Sequence, residues 1–278
     1  TNIYQIVWNG TLFVAVGNGT TYSIAYSYDG ITWLAPTQTK ASLGMSIVYC
    51  VAWGQQYFVA GGSGGGAINN IAYSLDGINW TAYVLGLSTT RILAVICGDS
   101  AWVIAGQSSS TNTTAYYTTS APTSSGIWTL SNGVPSTTAG QVFCLSYGIY
   151  PFNSTSGGTI YATIFVLGGG GPASPSGTSV MAYSTDGGAN WFTSTTGVAI
   201  FGSGSSASSI SAVNSITWTG KRFIAVGGAN SSISVTGSSK IAYSNDGQNW
   251  YAIPTAGVIQ AASLFTSSIF NVSTNPSI

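Results

Sequence analysis

Charge is what this sequence most lacks. Its 278 residues include five basic and five acidic side chains, 4% of the total and no net charge, against roughly 25% in an average soluble domain. The acids are all aspartates (Asp29, Asp76, Asp99, Asp186, Asp246) and the bases are Lys40, Arg91, Lys221, Arg222 and Lys240; glutamate and histidine are absent. So few cations cannot neutralise a run of phosphates, which argues against nucleic acid as a partner, and they cannot hold the chain to an anionic bilayer. Without histidine there is no Ser–His–Asp or Cys–His pair and no His-containing zinc site. Near-zero net charge provides little colloidal repulsion. The surface must then stay wet through Ser, Thr, Asn, backbone groups or attached glycans, or be covered by neighbouring subunits. An extracellular, particle-bound or assembled setting is expected.

Long apolar runs are missing too. The longest are strand-sized, such as Ile47 to Trp53, far short of the roughly 20 residues that span a bilayer, and no membrane insertion is expected. Cys50, Cys97 and Cys144 are an odd number without metal-type spacing. Each falls in an apolar strand-like segment and is expected to be a small buried hydrophobe. Neither a metal nor a cofactor is expected. Glycine-rich stretches at Gly61 to Gly66 and Gly168 to Gly171 lack a Walker lysine and a following helix, and read as loops rather than phosphate cradles. No signal peptide is visible and the first residue is Thr1, which reads as a mature or trimmed form, or a piece of something longer.

What is present is repetition. The phrase Ala25-Tyr26-Ser27-Tyr28-Asp29-Gly30-Ile31-Thr32-Trp33 returns as Ala72 to Trp80 and as Ala242 to Trp250. It returns with one extra residue as Ala182 to Trp191, and in worn form from Ala115 to Trp128, without its Asp. A second phrase precedes each copy: Val7-Trp8-Asn9-Gly10 through Phe13-Val14-Ala15-Val16-Gly17, then Ala52-Trp53-Gly54 through Gly61, and Thr217-Trp218 through Gly227. Degenerate forms lie at Cys97 to Trp102 and around Tyr147 to Gly169. Each repeat supplies four short strand-like runs separated by Gly, Asn and Asp turns.

Tryptophans at 33, 80, 128, 191 and 250 mark a period of about 47 to 63 residues, the length of a four-stranded propeller blade. No helical periodicity appears. The expectation is an all-β chain, a β-propeller of four-stranded antiparallel blades. Five blades close a ring on this reading, with repeats at 1–36, 45–84, 92–132, 141–196 and 211–254 in one domain of 1–278. In the tail, 255–278, the run Leu264 to Val272 reads as the first strand of a sixth blade.

The recurring phrase resembles the Asp-box (BNR) repeat of sialidase-like propellers, and the resemblance covers essentially the whole chain. It implies a structural role for Ser27, Asp29, Gly30 and Trp33; Ser74, Asp76, Gly77 and Trp80; Ser184, Asp186, Gly188 and Trp191; and Ser244, Asp246, Gly247 and Trp250. The carboxylate would accept turn N–H groups, glycine would supply the positive φ, and the Trp ring would pack between turn and blade. Sialidases of that superfamily use three arginines, a Tyr–Glu pair and an Asp acid. This sequence has two arginines and no glutamate, so that set cannot be assembled. The usual carboxylate pair of other glycosidases is also missing once the box aspartates are set aside, and the expectation is of a chain that is not an enzyme.

What remains is surface. Seven Asn-x-Ser/Thr sequons begin at Asn9, Asn18, Asn79, Asn112, Asn153, Asn230 and Asn271. Asn112, Asn153 and Asn230, in Ser/Thr/Gly-rich loops, are the better candidate glycosylation sites, followed by Asn18 and Asn271. The uncharged stretches Ser108 to Thr114, Asn153 to Gly158, Gly171 to Thr178 and Gly202 to Ser209 read as tolerated loop length or as contact surface for neighbouring subunits. The wording of the repeats is similar to propellers of giant DNA viruses and marine bacteria. Two functions are expected: a non-catalytic structural or adhesion module of a virion surface or other extracellular assembly, whose partners are other protein subunits; alternatively a lectin-like propeller whose partners are glycans.

Overall fold

The computed structural model describes residues 2–64, 69–85, 89–108, 113–135, 140–153, 159–171, 179–201, 210–230 and 241–253. The chain is an all-β propeller. Five antiparallel blades follow one another: β1 (Asn2–Trp8), β2 (Phe13–Asn18) and β3 (Ile24–Ser27); β4 (Ile47–Gly54), β5 (Tyr57–Ser63), β6 (Ile71–Ser74) and β7 (Thr81–Tyr83); β8 (Thr89–Cys97), β9 (Trp102–Ser108), β10 (Thr113–Thr118) and β11 (Thr129–Leu130); β12 (Gln141–Asn153), β13 (Thr159–Gly171), β14 (Ser179–Ser184) and β15 (Phe192–Thr193); β16 (Ile210–Trp218), β17 (Phe223–Asn230), β18 (Ile241–Ser244) and β19 (Trp250–Ala252). In the first blade the fourth strand shrinks to a single bridge between Tyr26 and Leu34. A short pairing of β13 with β16, Gly170 to Ala212 and Gly171 to Ser211, joins the last two blades into one sheet.

The second strand of each inner blade (Phe58-Val59-Ala60 in β5, Phe165-Val166-Leu167 in β13) is apolar and buried at consecutive positions because a blade between two others buries both its faces. Four apolar clusters result, one at each junction of successive blades. Val7, Leu12, Val14 and Ile24 of the first blade meet Val48, Val51, Phe58 and Trp80 of the second. Later junctions are centred on Trp128, Trp191 and Trp250. The first strands run side by side in chain order, β1 by β4, β4 by β8, β8 by β12 and β12 by β16. Among the described residues no strand of the fifth blade packs on the first in this way. The ring closure expected from five repeats is therefore not seen in the described arc.

All five blades share a device that the repeat phrases did not announce. The first strand carries a bulge at Ile3/Gln5, Val48/Cys50, Ile92/Ala94, Val142/Cys144 and Val213/Ser215. A glycine of the second strand faces it each time: Gly17, Gly62, Gly106, Gly169 and Gly227. A Cβ on any of these would run into a backbone carbonyl oxygen of the first strand, that of Asn2, Ile47, Arg91, Gln141 or Ala212. Bulges add local twist, and this one recurs at the same register in every blade.

Three expectations need correction. Gly168 to Gly171 is strand, not loop, the end of β13, and Gly61 to Ser63 ends β5; a close neighbour, not flexibility, accounts for several of these glycines, since a Cβ on Gly168 would meet Val213 and Ile216. Short helices occur despite the absence of helical periodicity. Lys40–Leu43 (α1) and Thr195–Phe201 (α2) are connectors of one or two turns, too short to show a period. The fourth blade also differs in length: β12 and β13 pair through Asn153 and Thr159, so much of what read as a degenerate stretch around Tyr147 is an extended hairpin with exposed Ile149 and Tyr161.

Candidate functional site

The recurrent turns are the most regular feature of the surface. In the four intact copies the serine hydroxyl is buried and donates to the aspartate two residues on: Ser27 to Asp29 at 2.9 Å, Ser74 to Asp76 at 3.0 Å, Ser184 to Asp186 at 2.8 Å and Ser244 to Asp246 at 3.0 Å. The same hydroxyl accepts the N–H of Gly30, Gly77, Gly188 and Gly247 at 2.8–3.0 Å. These glycines have φ of +72°, +73°, +90° and +71°, a region that costs other residues strain. The extra residue of the fourth copy is taken up by a second positive-φ glycine, Gly187 at +76°.

Each carboxylate then organises the far side of its turn. Asp29 Oδ1 accepts from the N–H groups of Ile31 and Thr32, Asp76 from Ile78 and Asn79, Asp186 from Asn190, and Asp246 from Gln248 and Asn249, all at 2.7–3.0 Å. Asn79, Asn190 and Asn249 add a side-chain bond to the second oxygen at 2.7–2.8 Å. Bonds from the Thr32 and Ile31 backbone and from Ser27 hold the Asp29 carboxyl at about 2. For Asp76 burial pushes upward, but the bonds from Asn79, Ile78 and Ser74 outweigh it and hold the group at about 2. Asp186 and Asp246 are lowered by the same balance. A carboxyl so committed stays ionised near neutral pH, which suits a turn staple and not an acid catalyst.

The tryptophans divide into two groups. Trp80, Trp191 and Trp250 are buried, and each indole N–H donates to the carbonyl of its turn glycine at 2.9–3.0 Å. In the worn third copy Trp128 is buried too, but donates to the hydroxyl of Tyr83 at 2.9 Å. Trp33 departs from the core role expected of it. It is 37% exposed, and among the described residues its indole makes no bond to Gly30.

The reason lies in the neighbours. Each later intact turn is clamped by the segment leaving the preceding blade. The Gln38 side chain accepts the backbone N–H of Trp80 at 2.7 Å, the Asn132 carbonyl accepts the backbone N–H of Trp191 at 2.9 Å, and the Thr196 hydroxyl accepts the backbone N–H of Trp250 at 2.9 Å. No described residue does this for Trp33. Exposed large hydrophobic side chains concentrate on that same first blade: Ile3, Tyr4, Trp8, Tyr28, Ile31 and Trp33 among them.

Among the described residues no group of three or more Cys, Asp, Glu or His could hold a metal ion, and no helix is long and apolar enough to cross a membrane. The three cysteines are free and buried. Burial pushes all three thiols up, Cys97 to about 12. Cys50 and Cys144 sit just past the bulge of their blades and point at the next blade's first strand, towards the carbonyls of Ile92 and Val213 at 3.8 and 3.7 Å. Of the candidate glycosylation sites, Asn18 is half-buried near the Lys40 ammonium, at 3.5 Å; Asn153 and Asn230 end strands β12 and β17; Asn112 and Asn271 lie outside the described residues.

The sequence matches no protein-family profile and no curated protein. Among solved structures it is similar to a fructofuranosidase from Schwanniomyces occidentalis complexed with fructose, with a TM-score of 0.36 and 13% identity over 88% of this chain. The chain spans 60% of that enzyme's chain. This likeness to an enzyme, weak as it is, runs against the expectation that the protein is not an enzyme, which is withdrawn. An inventory of missing residues excludes named mechanisms only, and a propeller leaves its chemistry to whatever its loops carry.

Proposed function

We propose that the chain is a structural or adhesion module of an extracellular assembly such as a virion surface, joined to other protein subunits through uncharged surface. The observation that carries this reading is the concentration of exposed Ile3, Tyr4, Trp8, Tyr28, Ile31 and Trp33 on one blade of a chain with almost no charge. Exposed apolar side chains gathered on one blade suit an interaction site, and a protein without net charge has little to keep copies apart. The stapled turns support reading the repeats as Asp-boxes of the sialidase-like kind: Ser, Asp, Gly and Trp take complementary places in one hydrogen-bonded loop, as that motif requires. Similarity of the repeat wording to propellers of giant DNA viruses and marine bacteria points the same way.

A second reading is favoured by one local arrangement. Tyr243 and Tyr251 stack at 5.4 Å, and the Arg222 guanidinium lies 5.1 Å from the Tyr243 ring centre. Aromatic faces beside a fixed donor suit the apolar face and hydroxyls of a sugar, as a lectin-like propeller would need.

Light scattering of the native protein, paired with a glycan array, separates the two. A mass several times 28.4 kDa with no glycan signal supports assembly. A single-chain mass with saturable sugar binding overturns it in favour of the lectin.

A further inference from the structure

If copies assemble, the described arc offers two faces made for each other. Register places Ile3, Ile6, Phe13, Ala25 and Trp33 of the first blade where the second has Val48, Val51, Phe58, Ala72 and Trp80. In the second blade all five are buried against the blade before it. In the first, Ile3 is 53% exposed, Trp33 is exposed, and Ile6, Phe13 and Ala25 are half-buried.

The other end mirrors this. Ile224 and Ile241 of the fifth blade occupy the positions of Val14 and Ile24 in the first, and of Val59 and Ile71 in the second. Those four are buried under the following blade, whereas Ile224, Val226 and Ile241 are only half-buried. One end thus carries the receiving half of a blade junction and the other end carries the donating half.

The turns show how such halves meet. Leu12 and Val14 lie against the second blade's turn glycine, Gly77, and Ile164 and Val166 lie against Gly247. At the corresponding glycine of the first blade, Gly30, the nearest atoms are those of Phe13 in its own blade. Arg222 precedes Phe223 as Leu12 precedes Phe13 and Ile164 precedes Phe165, so on the fifth blade a cation takes the position that addresses the next turn. The turn that lacks an occupant carries the ionised Asp29. In a chain with five cations and five anions, that pairing favours these two ends as partners.

We propose that the fifth-blade face of one molecule docks on the first-blade face of a second copy, with Ile224 over Gly30 and Arg222 beside Asp29. This rests on the assembly reading above. Docking covers Trp33 and repeats between molecules the junction found four times within one. Because the two faces differ, the contact is heterologous: it extends into open chains, or closes where the rotation allows.

The test uses Ile3→Asp and Ile224→Asp, each altering one face at an exposed or half-exposed position, with far-UV circular dichroism to verify the fold. Native masses of wild type, each variant and their equimolar mixture are measured by light scattering at equal concentration, alongside tryptophan emission. The expected result is a multimer for wild type, 28.4 kDa for each variant alone, and a species of two chains and no larger for the mixture, since each variant keeps one sound face. Emission should shift to longer wavelength in the variants as Trp33 is uncovered. Variants that keep the wild-type mass would overturn this interface while leaving assembly standing. A wild type at the single-chain mass would overturn both.

Discussion

Comparing Trp80→Ala with Trp33→Ala tests the account of the blade junctions most directly. Both residues hold the same place in the repeat, but among the described residues only Trp80 has another blade packed against it. A buried tryptophan removes about 150–250 Å² from water, worth about 4–6 kcal/mol at ~25 cal/mol per Å² as an upper bound, and truncation in cores costs about 3–5 kcal/mol. Trp80→Ala also removes the indole bond to Gly77, worth about 1 kcal/mol, and should destabilise by about 4–5 kcal/mol. Trp33 is 37% exposed and has no such bond to lose, so its removal should cost roughly 2 kcal/mol. The gap is expected to be about 2–3 kcal/mol. Urea denaturation followed by far-UV circular dichroism, at a concentration low enough that wild type is a single chain, provides the comparison. Equal losses from both substitutions under those conditions would refute the open first-blade face. At concentrations where copies associate, Trp33→Ala should also lower the mass, which Trp80→Ala has no direct reason to do.

Acid titration should show the stapled carboxylates. An unfolded aspartyl group takes up its proton near pH 4, whereas Asp29 and Asp76 do so at about 2. The melting temperature should therefore hold from neutral pH down to about 4 and fall between 4 and 2, with a shallower fall in Asp76→Asn. Gly62→Ala should cost about 2–4 kcal/mol by urea denaturation, because its Cβ would meet the Ile47 carbonyl opposite the bulge; an unchanged midpoint would show that the bulge relaxes freely. With their thiols buried and raised, Cys50, Cys97 and Cys144 should resist a disulfide reagent in the native state and react together on unfolding, as the absorbance of the released thiolate would report.

Much of the fold could be read because the repeat phrases combine local rules. Asp-Gly turns, short strand-like runs and a tryptophan at fixed distance each point to the same blade. The bulge was not legible: Gly17 and Gly62 look like strand-ending glycines until pairing with Ile3 and Val48 shows the carbonyl beside them. The extended hairpin of β12 and β13 was hidden because Gly148, Pro151 and Asn153 read as turn residues, although tertiary pairing carries the strand through them. Trp33 reads like its sister tryptophans because its own turn is intact. What differs is that no described blade packs against its face, and a local motif does not record its neighbours.

The direction of the clamps bears on how the molecule is made. Gln38 serves Trp80, Asn132 serves Trp191, and Thr196 serves Trp250; in each case the helping residue comes earlier in the chain than the turn it completes. A blade emerging during synthesis thus meets a finished surface that already carries the groups its turn requires, and domains folding as they are made profit from such an order. Each of these three turns is thus laid down on groups that are already in place.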